Sequence, residues 1–219
     1  MTSKVFTLLF ATALIAAVPA RAADTAATEP PCNDPRPDDA DLRLGHVTGA
    51  SRVAFLSEGP NCPGPAAACR SKFFAVAGEA VLLGASRPGY VCATGARTGG
   101  WLPQDRVAAQ PIDPAPPLAA WAGTWRLYDN EVVLTPAGDG IKAGGEAYWP
   151  AKNVMPANEG AFDGTAKPSG NRLHLQDDSG ACTVELALAE PFLVVADNRE
   201  CGGHNVSFTG IYTRRSGTR

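Results

Sequence analysis

The chain lacks most of the short motifs that announce chemistry. It has no Cys-x-x-Cys, no Gly-x-Ser-x-Gly, no phosphate-cradling glycine loop and no His-Glu-x-x-His. The first absence removes the usual spacing of a zinc knuckle or a thioredoxin-like dithiol. The others remove the serine elbow, the P-loop and the zinc protease helix. An excess of positive charge is also missing: 19 Lys and Arg stand against 22 Asp and Glu, a formal charge of -3. A mildly acidic chain is a poor electrostatic partner for nucleic acid or an anionic membrane. Finally, no pattern for an amphipathic helix of ten or more residues follows the first 22 positions.

One apolar run exists, residues 5–18, preceded by Lys4 and followed by Pro19-Ala20-Arg21-Ala22. At 14 residues it falls short of the roughly 18 to 20 that span a bilayer as a helix, and no later stretch is apolar enough to try. With Ala20 and Ala22 in the small-residue pattern, residues 1–22 read as an export signal and the mature chain is expected to begin at Ala23. Cys32 lies too far beyond Ala22, behind Glu29-Pro30-Pro31, for a lipoprotein signal. Loss of Lys4 and Arg21 takes the formal charge to -5. The expected location is periplasmic or secreted, with no membrane span and no nucleic-acid partner.

Residues 23–44 are rich in Pro, Ala and Asp and read as an extended leader fastened only by Cys32. Short apolar runs broken by Gly and Pro then fill residues 45–109. A stretch with four prolines, QPIDPAPP at 110–117, reads as a semi-rigid linker. Residues 118–213 show a second set of alternating segments, and 214–219 a polar, basic, disordered tail. The pattern is all-β. Candidate strands are 46–49, 51–56, 72–76, 79–85, 89–94, 99–102 and 105–108 in the first block. In the second they are 123–128, 130–135, 140–148, 159–167, 171–176, 181–188, 191–196 and 205–213. Eight strands in so short a block suggest an up-and-down antiparallel barrel or meander, in which closure removes exposed edges.

The six cysteines divide four and two: Cys32, Cys62, Cys69 and Cys92 before the linker, Cys182 and Cys201 after it. An even number in an exported chain reads as structural disulfides. Cys182 and Cys201 flank a natural hairpin and should bridge, a closure worth roughly 3 kcal/mol in the chain-entropy model. The first four allow three connectivities, of which Cys62–Cys69 with Cys32–Cys92 is favoured because it ties the leader to the sheet. Of His46, His174 and His204, only His204 lies near a cysteine, in CGGH at 201–204. A Cys/His nucleophile pair, or half a metal site with Asp197 and Glu200, is conceivable there. A glycine-rich turn with Cys201 in a disulfide is the simpler reading. No cofactor, metal or catalytic residue is expected.

The segments FFAVAGEAVLLGAS, GYVCATG and GGWLPQDRV resemble a bacterial SH3-like domain, with Gly78-Glu79 at the turn, Tyr90 as the hairpin aromatic and Gly100-Trp101 as the closing pair. The resemblance implies a small barrel that binds cell-wall peptides or other ligands without catalysis. The block that begins WAGTWRLYDN and ends VSFTGIYTRR resembles calycin barrels, lipocalins among them, through Gly123-x-Trp125 and Arg214. That resemblance implies that Arg214 packs across Trp125 and closes the barrel bottom. The end of the chain is also similar to exported bacterial proteins. Tyr90 and Trp101 in the first block, and Trp149 in the second, are the candidate ligand contacts. Trp149 follows Tyr148 and opens a loop from Pro150 to Asn158 suited to a sugar or a partner protein, and of the two adjacent aromatics one should be core.

The function expected is therefore an exported, non-catalytic binding protein of the bacterial cell envelope, its partner a cell-wall component or an envelope protein such as a peptidoglycan-acting enzyme. A carrier of a small apolar ligand in the second barrel is the alternative, and a hydrolase using carboxylates or His204 the weaker one.

Overall fold

The computed structural model describes residues 30–39, 42–49 and 51–215. The expected export signal, the first part of the expected leader and residues 216–219 lie outside the described residues. What is described is almost entirely β, in two antiparallel sheets.

The first sheet has seven strands: β1 (Arg43–Val47), β2 (Arg52–Leu56), β3 (Arg70–Val76), β4 (Ala80–Arg87), β5 (Tyr90–Thr94), β6 (Gly99–Pro103) and β7 (Val107–Gln110), in the order β3-β2-β6-β5-β4-β1-β7. Alternation places Val47, Val53, Phe55, Val81, Leu83, Val91 and Leu102 in one core. A second cluster forms on the other side of the curled sheet, where Leu56, Cys92 and Trp101 meet Cys32, Cys62 and Cys69. The disulfides Cys32–Cys92 and Cys62–Cys69 thus carry the leader and the 62–69 loop across that face as a cover. A sheet of about 65 residues has little area to bury, and the cover supplies a second core.

After a single turn of helix, α1 (Leu118–Trp121), come β8 (Gly123–Leu127), β9 (Asn130–Ala137), β10 (Gly140–Trp149), β11 (Asn158–Ala166), β12 (Arg172–Gln176), β13 (Thr183–Ala189), β14 (Phe192–Asp197) and β15 (Gly210–Arg214). Their order, β11-β10-β9-β8-β15-β14-β13-β12, makes a nearly closed eight-stranded barrel. Inward residues repeat at every second position: Val132 and Leu134 on β9, Ile141, Ala143 and Ala147 on β10, Val184, Leu186 and Leu188 on β13. Trp121, Trp125, Phe208 and Tyr212 fill the remaining space, each fully buried. Phe162 and Phe208 meet edge to face, 4.8 Å between centroids. Cys182–Cys201 fastens the start of β13 to the loop after β14.

Most strand ends differ from the sequence expectation by one to three residues, and three of the differences have a structural reason. The first strand starts at Arg43, inside the expected leader, because Leu44 is needed outside the core of its own sheet. Leu44 and Leu82 pack against Ala187, Ala189, Phe192, Val194 and Ile211 on the outer wall of the barrel. The two sheets therefore share a buried apolar seam, and Ile112 of the Pro-rich stretch packs on it. The last strand begins at Gly210, not 205. Asp197 pulls the preceding residues into a turn by accepting hydrogen bonds from the Ser207 and Thr209 hydroxyls (2.6 and 2.7 Å) and the Phe208 and Thr209 amides (both 3.1 Å). That strand runs through Arg214, which the sequence assigned to the tail: its guanidinium covers Trp125 at 4.5 Å and donates to the Ala122 and Ala120 carbonyls.

Candidate functional site

Of the three aromatic contacts expected from the sequence, Trp101 is misplaced. It is fully buried and cannot touch a ligand. The Arg87 guanidinium lies 4.4 Å above its ring, and the indole N–H donates to Glu58 at 2.9 Å. Arg87 also pairs with Glu58 at 2.7 Å and donates to the carbonyls of Pro30 and Cys62. The Cys32 amide completes the node on Glu58. On the bare sheet Trp101 would have been available; the disulfide-held cover has turned it into core.

Tyr90 is half-buried at the start of β5 and borders a groove of about 830 Å³. One wall is the outer face of β2 and β3, where Arg52, Ala54, Leu56, Arg70 and Phe74 come together through the pairs Ala54↔Phe74 and Leu56↔Arg70. The opposite wall is the β4–β5 turn, Pro88-Gly89, with Pro103 and Arg106 from the end of β6. Gly89 has φ 79°, a left-handed conformation that a side chain would strain, and its carbonyl accepts from Gln104 at 2.9 Å. Gly64 and Pro65 of the disulfide-closed 62–69 loop form the end. A Cβ on Gly64 would lie 2.9 Å from the Asn61 carbonyl oxygen, so the loop has no room to thicken there.

The chemistry of this groove is one-sided. Three arginines line it and no carboxylate does. Arg52 stacks on Phe74 at 4.4 Å, Arg106 has only its neighbour Asp105 at 3.6 Å, and Arg70 has no ion pair among the described residues. The surrounding sequence carries the same bias: residues 42–110 hold seven Lys and Arg against three Asp and Glu, whereas residues 118–213 hold six against twelve. The arginines sit beside aromatic and proline surface, so the groove suits a ligand that is both anionic and partly apolar. Sequence reading found Tyr90 but missed the arginines, since Arg52, Arg70 and Arg106 are separated by loops and only the β2–β3 register and the β6 exit bring them together.

Trp149 stands elsewhere, 47% exposed at the end of β10. It shares a strand face with Ala147, two residues back, but lies beyond the last core layer and so projects over the barrel rim. Tyr148 is not core either: its hydroxyl donates to Glu146 and Lys152 lies 4.7 Å from its ring. Trp149 lines a cleft with Arg199 and the 202–207 loop, His204 included. Cys201, beside His204, is in a disulfide, as the reading of a glycine-rich turn expected, and is no nucleophile. His174 pairs with Glu185 across β12 and β13 on the exposed outer wall. Among the described residues no group of three or more His, Cys, Asp or Glu side chains could hold a metal ion, and no helix is long and apolar enough to cross a membrane.

Comparison with protein-family models, with curated proteins and with solved structures finds no match for this chain.

Proposed function

We propose that the chain is an exported, non-catalytic binding protein of the bacterial cell envelope and that the groove of its first sheet takes a carboxylate-bearing peptide of the cell wall. The observation that carries the reading is the groove itself: Tyr90 and Phe74 with three arginines and no acid. Three intramolecular disulfides support an oxidising compartment. The SH3-like resemblance of the same residues supports a peptide as ligand, and the arginines supply the reason why its carboxylates would matter. An extended peptide laid along the groove would place its side chains on Tyr90, Phe74 and the prolines while Arg70 and Arg52 receive the charge in bidentate geometry. The acidic second barrel would repel the same ligand, so approach is steered to the basic side.

The carrier reading asks for a cavity where Trp121, Trp125, Phe208 and Tyr212 already sit. The hydrolase reading asks for a base near a carboxylate, and the rim around His204 has none in its lining.

Retention on purified sacculi tests the proposal. Wild-type protein is expected to be retained, and to be released as salt rises from about 0.05 to about 0.5 M, because the contacts are charge-assisted at an accessible surface. Arg70→Ala combined with Tyr90→Ala should lose the salt-sensitive retention while keeping the wild-type circular dichroism. Equal salt-sensitive retention of both forms, or none of either, would sink the proposal; salt-insensitive capture of an envelope enzyme instead of wall material would replace it.

A further inference from the structure

We propose that the rim of the second barrel is a saccharide site, built from Trp149 and the loop that carries Arg199, His204 and Asn205. The site is separate from the peptide groove in sequence and in sheet, and the inference stands whether or not that groove binds a peptide.

Three observations support it. The first is the state of the tryptophans: Trp101, Trp121 and Trp125 are all fully buried, and Trp149 alone presents its indole to solvent. An exposed indole at a strand end offers a flat, electron-rich face against which the polarised C–H face of a pyranose ring can stack. The second is the polar rim. Arg199, His204, Asn205 and Ser207 line the same cleft of about 510 Å³, a size within the usual range for small-molecule sites. Among the described residues the side chains of Arg199, His204 and Asn205 have no hydrogen-bond or ion-pair partner. The cleft lining has donors in plenty and no carboxylate, which matches the acceptor oxygens of sugar hydroxyl and amide groups.

The third is rigidity. Asp197 gathers the Ser207 and Thr209 hydroxyls, and the Cys182–Cys201 bridge holds the loop at its start. Between these points the loop is docked on β11: the Ala161 amide donates to the Cys201 carbonyl (3.0 Å), the Gly203 amide to the Glu159 carbonyl (3.0 Å), and the Asn158 side chain to the His204 carbonyl (2.8 Å). A Cβ on Gly202 would lie 2.5 Å from the Gly160 Cα, so the contact requires glycine. A loop held this way presents Arg199 and His204 at little ordering cost on binding, which is what a weak, hydroxyl-rich ligand needs.

The buried state of the other three tryptophans makes the test direct. Acrylamide quenching of the intrinsic fluorescence reads Trp149, and it is measured with and without short glycans that carry no peptide: a trimer of β-1,4-linked N-acetylglucosamine, cellotriose and a galacturonate trimer. The expected result is protection of Trp149 by at least one of the three, the quenching constant falling about twofold, as expected for an indole that loses an open face. By calorimetry, Trp149→Ala and His204→Ala should each weaken binding of that glycan about tenfold. Trp149→Phe, which keeps an aromatic face, should lose less. Arg70→Ala with Tyr90→Ala should leave glycan binding unchanged, which separates failure of this site from failure of the peptide groove. Absence of protection by all three glycans overturns the proposal, and so does calorimetric binding that survives Trp149→Ala. A protein partner gripping Val154 and Met155, which are exposed on the adjacent loop, would give that negative result.

Discussion

Both sheets stack an arginine on a buried tryptophan, and they do it from opposite directions. In the first, Arg87 covers Trp101 at 4.4 Å and reaches out to the leader and the 62–69 loop through Pro30, Cys62 and Glu58. In the second, Arg214 covers Trp125 at 4.5 Å and reaches back into the barrel's own entry, to Ala120 and Ala122, with Glu190 alongside. The Trp101 indole needs a side chain from outside its sheet, whereas the Trp125 indole donates to the Trp121 carbonyl four residues away at 3.1 Å. The difference follows from the size of the two cores. A barrel of eight strands encloses enough apolar volume to bury its tryptophans by itself. The seven-stranded sheet does not, and it recruits a covalently tethered cover.

If that contrast is right, the largest effects should come from cutting the tethers. Replacing Cys32 and Cys92 together by Ser removes a closure across 60 residues and is expected to cost about 4 kcal/mol, against about 3 for Cys182 and Cys201, which are 19 apart. Urea unfolding of the two paired variants measures both. Trp101 fluorescence should become quenchable only in the first, because only there does the tryptophan rely on the cover. Equal costs with Trp101 still protected would break the comparison.

Next comes the seam. Phe192 lies on the outer wall of the barrel yet is 2% exposed, because Leu44 and Leu82 cover it. Phe192→Ala should lower stability by about 3 kcal/mol. Phe192→Asp should go further and separate the single unfolding transition expected of the wild type into two, one for each sheet, as seen by calorimetry. A single transition in both would mean that the sheets are coupled elsewhere.

The closing arginines should show a smaller, graded effect. Arg87→Ala is expected to cost about 2.5 kcal/mol and Arg214→Ala about 2, in each case a stacked cation and charge-assisted hydrogen bonds, with Lys a poor substitute because it lacks the planar fork. The side chain of Arg87 is 10% exposed and that of Arg214 33%, so solvent replaces more of what is lost at Arg214. Thermal denaturation of the four variants provides the order.

The sequence made the periodicities plain and hid what crosses between segments. Alternation in EVVLTP or VELALA reads as strand wherever it stands, and turn glycines separate the strands, so the number of strands was legible. The Cys182–Cys201 bridge was legible from the hairpin between them, whereas for the first four cysteines the sequence only favoured the observed pairs among three connectivities. Trp101 was misjudged because its burial depends on residues 30 to 69, whose only sequence signal is cysteine. Leu44 was placed in a leader because its partners, Phe192 and Ile211, are 148 and 167 residues away. Arg70 and Arg106 gave no signal at all. An arginine beside a cysteine or an aspartate is unremarkable until the register brings it to Tyr90. The rim cleft was half legible: Trp149 and His204 each stood out, but only the docking of the 199–207 loop on β11 joins them.

The smallest expected effect concerns acid. Burial pushes the Glu58 carboxyl up, but the Trp101 indole, the Cys32 amide and Arg87 together outweigh it and hold the group below its ordinary value of 4.5. A carboxylate whose folded pKa is lowered contributes stability that is fully present above the unfolded value and is lost as pH falls through the folded one. The contribution of Glu58 should therefore be flat at neutral pH and decline only below about pH 4.5. Glu58→Gln cannot ionise, so in the Phe192→Asp background, where each sheet is expected to unfold by itself, it should flatten that acid limb for the first sheet while leaving the barrel's limb as it was. Tryptophan fluorescence against pH, followed in that background with and without Glu58→Gln, distinguishes the two sheets because Trp101 belongs to one and Trp121 and Trp125 to the other. A parallel loss of acid stability in both sheets would mean that the Arg87 node holds the whole molecule through the seam and not the cover alone.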